Sequence, residues 1–307
     1  MGRKKKMDVR RSRLIHSPDL LYHQNYDSST HGLHPNDKYM REGRIPHIWC
    51  PGCGLGTITN AYIEAIKESN IDMKKHVIVS GIGCTARIAG YVNVDSYHTT
   101  HGRAIPFATG LKLANPDLIV TVITGDGDLA AIGGNHFIHG ARRNVDINVI
   151  CVNNFTYGMT GGQHGPTTPV GFVAPTMPYG SIENPFNLSH LAVASGADYV
   201  ARWTTFHVRQ IKNAIKEMFD RSGFCFTEIV SQCPTGFGRP NKMADPVFML
   251  KNFRDKSIID NNIPIEEAIA HPTGPIYIGK FLDKQNPTYF DNYSKIMDKF
   301  RPEGDKK

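Results

Sequence analysis

Two short apolar runs, each followed by polar residues, constrain this chain more than any other feature. The first, residues 119–124, leads into Gly125-Asp126-Gly127, and the second, residues 147–152, leads into Asn153-Asn154. Runs of this length and β-branched content are typical of buried parallel strands, and residues 130–143 between them are predicted to be helical. A strand–helix–strand unit brings both strand ends to one edge of the sheet, where α/β proteins bind ligands.

The polar residues at this edge have the chemistry of a magnesium site. Asp126 offers a carboxylate, Asn154 an amide oxygen, and the backbone near Thr156 a carbonyl oxygen. Mg²⁺ is usually held by a few protein oxygens together with phosphate oxygens of a ligand. Glycines at positions 125, 127, 158, 161 and 162 would let backbone N–H groups approach a phosphate closely. The pattern therefore favours a Mg²⁺–diphosphate site over two ordinary turns.

The rest of the chain predicts an α/β fold with a doubly wound, mostly parallel sheet. Strands are predicted at 77–80, 198–201 and 226–230, and helices at 57–67, 186–195 and 208–219. With the two central strands, this gives about five parallel strands with helices on both faces. After residue 239 the pattern weakens: residues 265–270 predict one or two helical turns, and residues 289–300 are aromatic and charged.

Composition limits the classes of function. The 307 residues carry a net charge of +7, and no apolar run approaches the ~20 residues that cross a bilayer. The basic start lacks the apolar core of a signal peptide, so a cytoplasmic protein is expected. Basic tails can bind nucleic acid or anionic membranes, but no aromatic residues are interleaved here and no nucleic-acid-binding fold is recognisable. A solvated tail or a clamp on a partner subunit is therefore favoured.

Six cysteines in a cytoplasmic protein are better explained as thiols or metal ligands than as disulfides. Cys50 and Cys53 precede a predicted helix, whereas Cys84 and Cys233 each follow a predicted strand. The Cys-x-x-Cys pair leaves a zinc site or a thioredoxin-like pair open. Cys151 lies within an apolar strand and is expected to be a buried small hydrophobe.

A resemblance narrows these alternatives. Gly125-Asp126-Gly127 followed at this spacing by Asn153-Asn154 resembles the thiamine diphosphate signature. With the sequence HTTHGRAIPFATG at residues 98–110, the chain resembles the β subunits of 2-oxoacid:ferredoxin oxidoreductases over about residues 48–241. The resemblance implies a thiamine diphosphate-binding module whose cofactor is held near Ile82, Gly83, Cys84, Thr85, Gly127, Asp128, Gly158 and Met159.

The same resemblance implies an iron–sulfur centre. A [4Fe–4S] cluster takes four thiolates, and the positions that match the family are Cys50, Cys53, Cys84 and Cys233. Cys225 competes for the fourth place, but it starts a strand, whereas Cys233 stands in the family's Cys-Pro-Thr context.

Two histidines and an arginine are candidates for substrate contacts. His98 and His101 could donate to the carboxylate of a 2-oxo acid or to a developing oxyanion, and Arg103 could pair with a carboxylate or brace the loop. The family has this loop close to the cofactor, which favours His101 as the residue that faces the substrate.

Thiamine enzymes also need a carboxylate against the cofactor's aminopyrimidine, normally from a second α/β module, and this chain has room for one module only. Glu64 is expected at the surface and is not offered for that role. The resemblance therefore implies an α subunit that supplies the glutamate and part of the substrate site, in an αβ or (αβ)₂ assembly. Three parts are expected: a basic arm (1–45), the thiamine diphosphate-binding domain with the cysteines (46–240), and a C-terminal extension that packs on the partner or the active site (241–307).

The implied reaction is the coenzyme A-dependent oxidative decarboxylation of a 2-oxo acid, with electrons passing through the cluster to ferredoxin, or its CO₂-fixing reverse. The basic charge is compatible with steering of an acidic ferredoxin. Residues 158–163 and 233–239 look most like the 2-oxoglutarate members. Some of those carry a lysine where Gly161 stands, so the distal carboxylate would need Arg239 or the partner. Pyruvate and branched-chain 2-oxo acids, a non-redox thiamine decarboxylase or synthase, and a zinc-stapled nucleic-acid-binding protein remain alternatives.

Overall fold

A computed structural model of the chain describes residues 35–300. Most of the predicted basic arm, and residues 301–307, lie outside the described residues. The strands are β1 (His76–Ser80), β2 (Asp95–His98), β3 (Ile119–Gly125), β4 (Ile147–Asn153), β5 (Thr156–Tyr157), β6 (Gln163–His164), β7 (Tyr199–Thr204), β8 (Phe224–Val230), β9 (Ser257–Ile259) and β10 (Ile276–Asp283). The α-helices are α1 (Leu55–Ser69), α2 (Ala104–Ala114), α3 (Gly134–Arg142), α4 (Leu188–Ala194), α5 (Val208–Phe219), α6 (Pro246–Lys256) and α7 (Tyr289–Phe300).

Eight of the strands within residues 35–300 form one sheet, in the order β2-β1-β3-β4-β8-β7-β10-β9. The first six are mutually parallel, whereas β10 runs antiparallel to β7 and parallel to β9. The predicted α/β class with a mostly parallel sheet is confirmed. Because all six parallel strands end at the same edge, the loops after β1, β3, β4 and β8 are neighbours there.

Two apolar layers show that the sheet is doubly wound. Alternate residues of a strand point to opposite faces: Ile78 packs with the apolar residues of α1 and α5, while Val77 and Val79 pack with those of α2, α3 and α4. The central strand β4 is buried along its whole length. Residues 147–152 are therefore apolar at every position except Asn148, because both faces of the strand are covered.

The parallel strand β2 was missed by the sequence prediction, which placed its residues in a loop. It lies at the sheet edge beside β1, and Tyr97 is 47% exposed. A strand with so little buried surface does not need the apolar run that reveals the other strands.

Residues 265–270, for which one or two helical turns were predicted, begin with two consecutive turns. Glu267 N donates to Pro264 O at 2.9 Å and Ala268 N to Ile265 O at 3.3 Å, and no longer helix is assigned there. The buried Arg202 takes the Ala268 carbonyl oxygen as its acceptor at 2.6 Å. The carbonyl that a longer helix would use is thereby bound to a side chain.

The C-terminal extension contributes to the sheet and to a third apolar cluster. Strand β10 completes the sheet beyond β7, and Met249 and Phe253 of α6 pack with Phe155 and Phe237. Helix α7, in contrast, buries none of its residues. Among residues 35–300, no helix is both long and apolar enough to cross a bilayer.

Candidate active site

A cleft opens at the carboxyl edge of the parallel strands, with about 440 Å³ of empty space including its open mouth. The loops after β1, β3 and β4 and the loop before α2 surround it. It is lined by Ile82, Gly83, Cys84, Thr85, His101, Gly125, Asp126, Gly127, Asp128, Asn154, Thr156, Tyr157, Gly158, Met159 and Thr160. The predicted Mg²⁺ ligands and the residues that the resemblance places near the cofactor all lie in this lining, whereas Gly161 and Gly162 do not. Tyr157 and Thr160 were missed, because no charge or glycine pattern marks them.

Three oxygen atoms meet on one side of the cleft. The side-chain oxygen of Asn154 lies 2.7 Å from the carbonyl oxygen of Thr156 and 3.2 Å from Oδ1 of Asp126. Acceptors at this spacing repel one another unless a cation lies between them or the amide turns round to donate. The backbone N–H of Thr156 lies 3.4 Å from the Asn154 oxygen and favours the orientation seen here. Ligand oxygens around octahedral Mg²⁺ stand about 2.9 Å apart, given Mg–O bonds of about 2.0–2.1 Å, so the donor set fits this ion.

The environment of Asp126 is also that of a cation ligand. The side chain is 1% exposed, and Oδ2 accepts a hydrogen bond from Thr167 Oγ1. Burial raises the pKa of Asp126 to about 7, because the charged carboxylate has lost its water. A divalent cation beside Oδ1 would favour the charged form.

Asp128 holds two loops of the cleft together through its buried side chain. Its Oδ1 accepts from Gly102 N at 2.7 Å and weakly from Ile82 N at 3.4 Å, and Oδ2 accepts from Thr124 Oγ1 at 2.7 Å. His101 Nδ1 lies 2.6 Å from Oδ1, although the ring is not aligned for a hydrogen bond. The sequence predicted a contact to the cofactor at Asp128, but this bracing role could not be seen without the fold of the 99–103 loop.

The three candidates for substrate contact do not converge. His101 lines the cleft, with its ring centroid 5.9 Å from that of Tyr157. His98 ends β2, lies 2.6 Å from Ser80 Oγ through Nδ1, and does not line the cleft. Burial, and then the charge of Arg87, lower the pKa of His98 below its ordinary value. Arg103 contacts His136 of α3, also away from the lining.

Two glycines allow close approaches that a side chain would prevent. A Cβ added to Gly127 would lie 2.4 Å from the ring of Tyr157, whose hydroxyl donates to Gly127 O at 3.1 Å. Gly162 has φ +86°, and a Cβ there would lie 2.5 Å from the carbonyl oxygen of Gly236. The glycine-rich loop after β4 is thereby packed against the loop that carries Cys233.

Four cysteines from separate parts of the sequence come together beside the cleft. The sulfurs of Cys50, Cys84 and Cys233 are near enough to Cys53 for their charges to raise its pKa. A Cβ added to Gly158 would lie 3.6 Å from Cys84 Sγ and 3.7 Å from Cys233 Sγ. Within the described residues, no group of three or more His, Cys, Asp or Glu side chains is placed to hold a single metal ion.

Burial opposes charge on these thiols. It is the largest cause that raises the pKa of Cys53 to about 12 and that of Cys84 to about 11, and it also raises that of Cys233. Thiolates here need a positively charged partner, since a metal centre holds its thiols in the deprotonated form. Cys225 and Cys151 are fully buried within β8 and β4, and the charges that act on Cys225 are those of Asp146, Arg221, Asp198 and Asp283.

Comparisons with known proteins agree with this geometry. A family model described as the C-terminal TPP-binding domain of thiamine pyrophosphate enzymes matches residues 81–229. The 2-oxoglutarate synthase subunit KorB of Methanocaldococcus jannaschii is 52% identical over 271 residues, which cover 88% of this chain and 100% of that protein. The 2-oxoglutarate oxidoreductase subunit KorB of Mycobacterium tuberculosis is 40% identical over 61% of this chain and 50% of its own length.

A solved structure is similar over most of the fold. The 2-oxoglutarate:ferredoxin oxidoreductase from Magnetococcus marinus, with 2-oxoglutarate, coenzyme A and succinyl-CoA bound, superposes with a TM-score of 0.77. The sequences are 35% identical, and the match covers 88% of this chain and 92% of that chain.

Proposed function

The chain belongs to the β subunits of 2-oxoacid:ferredoxin oxidoreductases, and we propose that with an α subunit it converts 2-oxoglutarate and coenzyme A to succinyl-CoA and CO₂. The two electrons released pass to ferredoxin, and the reverse reaction fixes CO₂. The observation that carries this proposal is the position of Cys84, which lines the cleft and also belongs to the four-cysteine group. A cofactor in the cleft and a cluster on the cysteines would therefore be neighbours.

The chain carries a thiamine diphosphate-binding domain, and the cleft residues have the chemistry to hold that cofactor with Mg²⁺. Asp126 Oδ1, Asn154 Oδ1 and the Thr156 carbonyl would ligate the ion, leaving further positions for diphosphate oxygens. The backbone of residues 82–85, 127–128 and 158–159 would approach the cofactor itself. When bound, thiamine diphosphate supplies the carbanion chemistry that decarboxylates 2-oxo acids.

Cys50, Cys53, Cys84 and Cys233 would bind a [4Fe–4S] cluster. Four thiols from three loops converge beside the cleft, and a four-iron cluster takes four thiolates. Trp49 Nε1 donates to Cys84 O at 2.8 Å, and Gly54 N donates to Gln232 O at 3.3 Å, so hydrogen bonds tie the loops together beside their cysteines.

His101 would donate to the 2-oxo acid, since of the three candidates it is the one that lines the cleft. Asp128 keeps the histidine loop in place through Gly102 N. His98 and Arg103 would hold the loop in place without contacting the substrate, because His98 contacts Ser80 and Arg103 contacts His136.

The distal carboxylate of 2-oxoglutarate needs a cation. Arg239 follows the Cys233 loop, is exposed, and makes no side-chain hydrogen bond or ion pair with the described residues. We therefore propose that Arg239, or a residue of the α subunit, binds the distal carboxylate. Gly161 has φ +120°, a conformation that would strain a lysine at that position.

The α subunit would supply the glutamate that activates the cofactor. The acidic residues that line the cleft are Asp126 and Asp128, and both already have other partners. Glu64 forms a surface ion pair with Lys67 at 2.9 Å, as a surface residue would. The exposed helix α7 of the C-terminal extension, with Ile296 and Phe300 in solvent, would contact this partner.

The test is ferredoxin reduction by the enzyme assembled with its α subunit. Coenzyme A-dependent reduction with 2-oxoglutarate is expected, with much lower rates for pyruvate and branched-chain 2-oxo acids. A preference for pyruvate would overturn the proposed substrate. Decarboxylation without any ferredoxin reduction would instead place the chain among the non-redox thiamine enzymes.

A further inference from the structure

A buried ion pair lies behind the cleft and takes no part in the chemistry described above. Arg202 of β7 and Glu228 of β8 are each 1% exposed, and Arg202 Nε donates to Glu228 Oε2 at 2.8 Å. Three more guanidinium N–H groups donate, from Nη1 to the carbonyl oxygens of Ala268 and Tyr277 and from Nη2 to Asn187 Oδ1. Arg202 is therefore fixed on all sides, and it fixes the Glu228 carboxylate in turn.

Glu228 accepts two further hydrogen bonds, one of which leads to the cleft. Ser189 Oγ donates to Oε2 at 2.8 Å, and Asn153 Nδ2 donates to Oε1 at 2.8 Å. Cys151 of β4 is the register partner of Glu228, and Asn153 lies two residues after Cys151. The side chains of Glu228 and Asn153 therefore point to the same face of the sheet. A carboxylate only accepts, so it forces the amide of Asn153 to present its nitrogen to Glu228 and its oxygen to the other side.

The oxygen of Asn153 holds the turn that forms the three-oxygen site. Asn153 Oδ1 accepts from the backbone N–H of Phe155 at 3.2 Å. Phe155 has φ +62°, which is unusual for a residue with a side chain, and it stands between Asn154 and Thr156. Thr168 Oγ1 donates to the carbonyl oxygen of Phe155 at 2.6 Å, and the ring centroids of Phe155 and Phe237 are 5.5 Å apart. Asn154 and Thr156, the neighbours of Phe155, supply two of the three oxygens of the site.

From this chain of contacts we infer that Glu228 and Asn153 are positioning residues for the Mg²⁺ site: the buried carboxylate orients the Asn153 amide, which holds Phe155 in the left-handed conformation that aims Asn154 and Thr156 at Asp126. The inference rests on the proposed function, since it concerns the same ion. Outer partners of metal ligands change metal affinity about 10–100-fold when removed, and a change in this range is expected here.

The test compares two substitutions that each remove one donor to Glu228 and leave the Arg202 pair intact. Asn153→Ala also releases the turn, whereas Ser189→Ala does not touch it. In the enzyme assembled with its α subunit, calorimetry gives the Mg²⁺ concentration for half-maximal thiamine diphosphate binding. We expect this concentration to rise at least about 10-fold for Asn153→Ala and by less than about 2-fold for Ser189→Ala. The thermal unfolding midpoint without Mg²⁺ should fall more in Asn153→Ala, which loses two hydrogen bonds, than in Ser189→Ala, which loses one. The Mg²⁺ requirement of the folded protein is therefore the deciding readout.

A third variant keeps the test informative if Asn153→Ala does not fold. The hydroxyl of Asn153→Ser can still accept from an N–H two residues on, so its Mg²⁺ requirement should fall between those of wild type and Asn153→Ala. Equal Mg²⁺ requirements in Ser189→Ala and the Asn153 variants would overturn the inference while leaving the Mg²⁺ site standing. Wild-type binding of thiamine diphosphate that needs no Mg²⁺ would overturn the proposed site itself, and the inference with it.

Discussion

Asp126 is a carboxylate that the fold buries more completely than a carboxylate tolerates without a partner. Its ordinary pKa is 3.8, and burial raises the folded-state pKa to about 7. The metal-free fold therefore holds a proton that the unfolded chain releases above pH 4. By linkage, the stability contributed by this proton is fully present below about pH 3.8 and is lost as the pH rises to about 7.

We therefore expect the stability of the metal-free enzyme to fall as the pH rises. In the metal-free enzyme, the thermal unfolding midpoint of wild type should fall between pH 5 and pH 8 by more than that of Asp126→Asn, because the amide does not titrate. Mg²⁺ with thiamine diphosphate should remove most of the wild-type loss and should restore little in the variant. Calorimetric scans across this pH range measure both effects. Parallel pH profiles for the two proteins would contradict the prediction.

The two histidines of the 98–101 loop provide a matched pair. His101 lines the cleft and His98 does not, so His101→Ala should lower kcat with 2-oxoglutarate by about 10²-fold, the effect of losing one donor to a developing oxyanion. His98→Ala should lower it by less than about 3-fold. Steady-state rates of ferredoxin reduction test this, and a larger loss in His98→Ala would reverse the assignment.

At the scale of elements, the strands that the sequence predicted best are those that are most completely buried. Residues 119–124 and 147–152 form strands because both faces of the central sheet exclude water, and the polar residues within the two runs, Thr121, Thr124 and Asn148, are themselves buried. The carboxyl-edge residues were predictable for the same reason, since topology alone brings the loops after β3 and β4 together. Edge strand β2 was not predictable, because it buries little. The turns near residue 265 were predictable, but not their contact with Arg202, which is distant in sequence.

The hydrogen-bond partners of Glu228 also could not be predicted from the sequence. It stands in the apolar strand β8, where an isolated carboxylate would be costly. Its three donors come from β4, α4 and β7, which are distant in sequence. The sequence marks such a residue as unusual, but only the assembled sheet shows what satisfies it.

The loops that carry the cysteines give a prediction at this scale. Cys84→Ser should lose the cluster, seen as a fall in iron per chain and in visible absorption, because the cleft-side thiolate is gone. Cys225→Ser is the control: Cys225 lies buried within β8 and among other charges, so the iron content of this variant should equal that of wild type. Iron retained in Cys84→Ser and lost in Cys225→Ser would require a different ligand set.

At the scale of the whole molecule, the cleft is lined by one α/β module and is open at its mouth. No glutamate is among the described residues that line it, so the isolated chain should show no turnover, even with Mg²⁺, thiamine diphosphate and an intact cluster. Addition of the α subunit should restore activity. Robust ferredoxin reduction by the isolated chain, measured after removal of any copurified partner, would contradict the division of the active site between two subunits.

The central claim is that thiamine chemistry in the cleft is joined to electron transfer through the four cysteines. The most direct measurement is iron and acid-labile sulfide in anaerobically purified enzyme, with an electron paramagnetic resonance spectrum after reduction by dithionite, and with Cys225→Ser and Cys84→Ser as references for any clusters carried by other subunits. We expect about four irons and four sulfides per β chain that Cys225→Ser keeps and Cys84→Ser lacks, together with a reduced-cluster signal. Zinc on these cysteines, or Mg²⁺ as the only metal, would contradict the central claim.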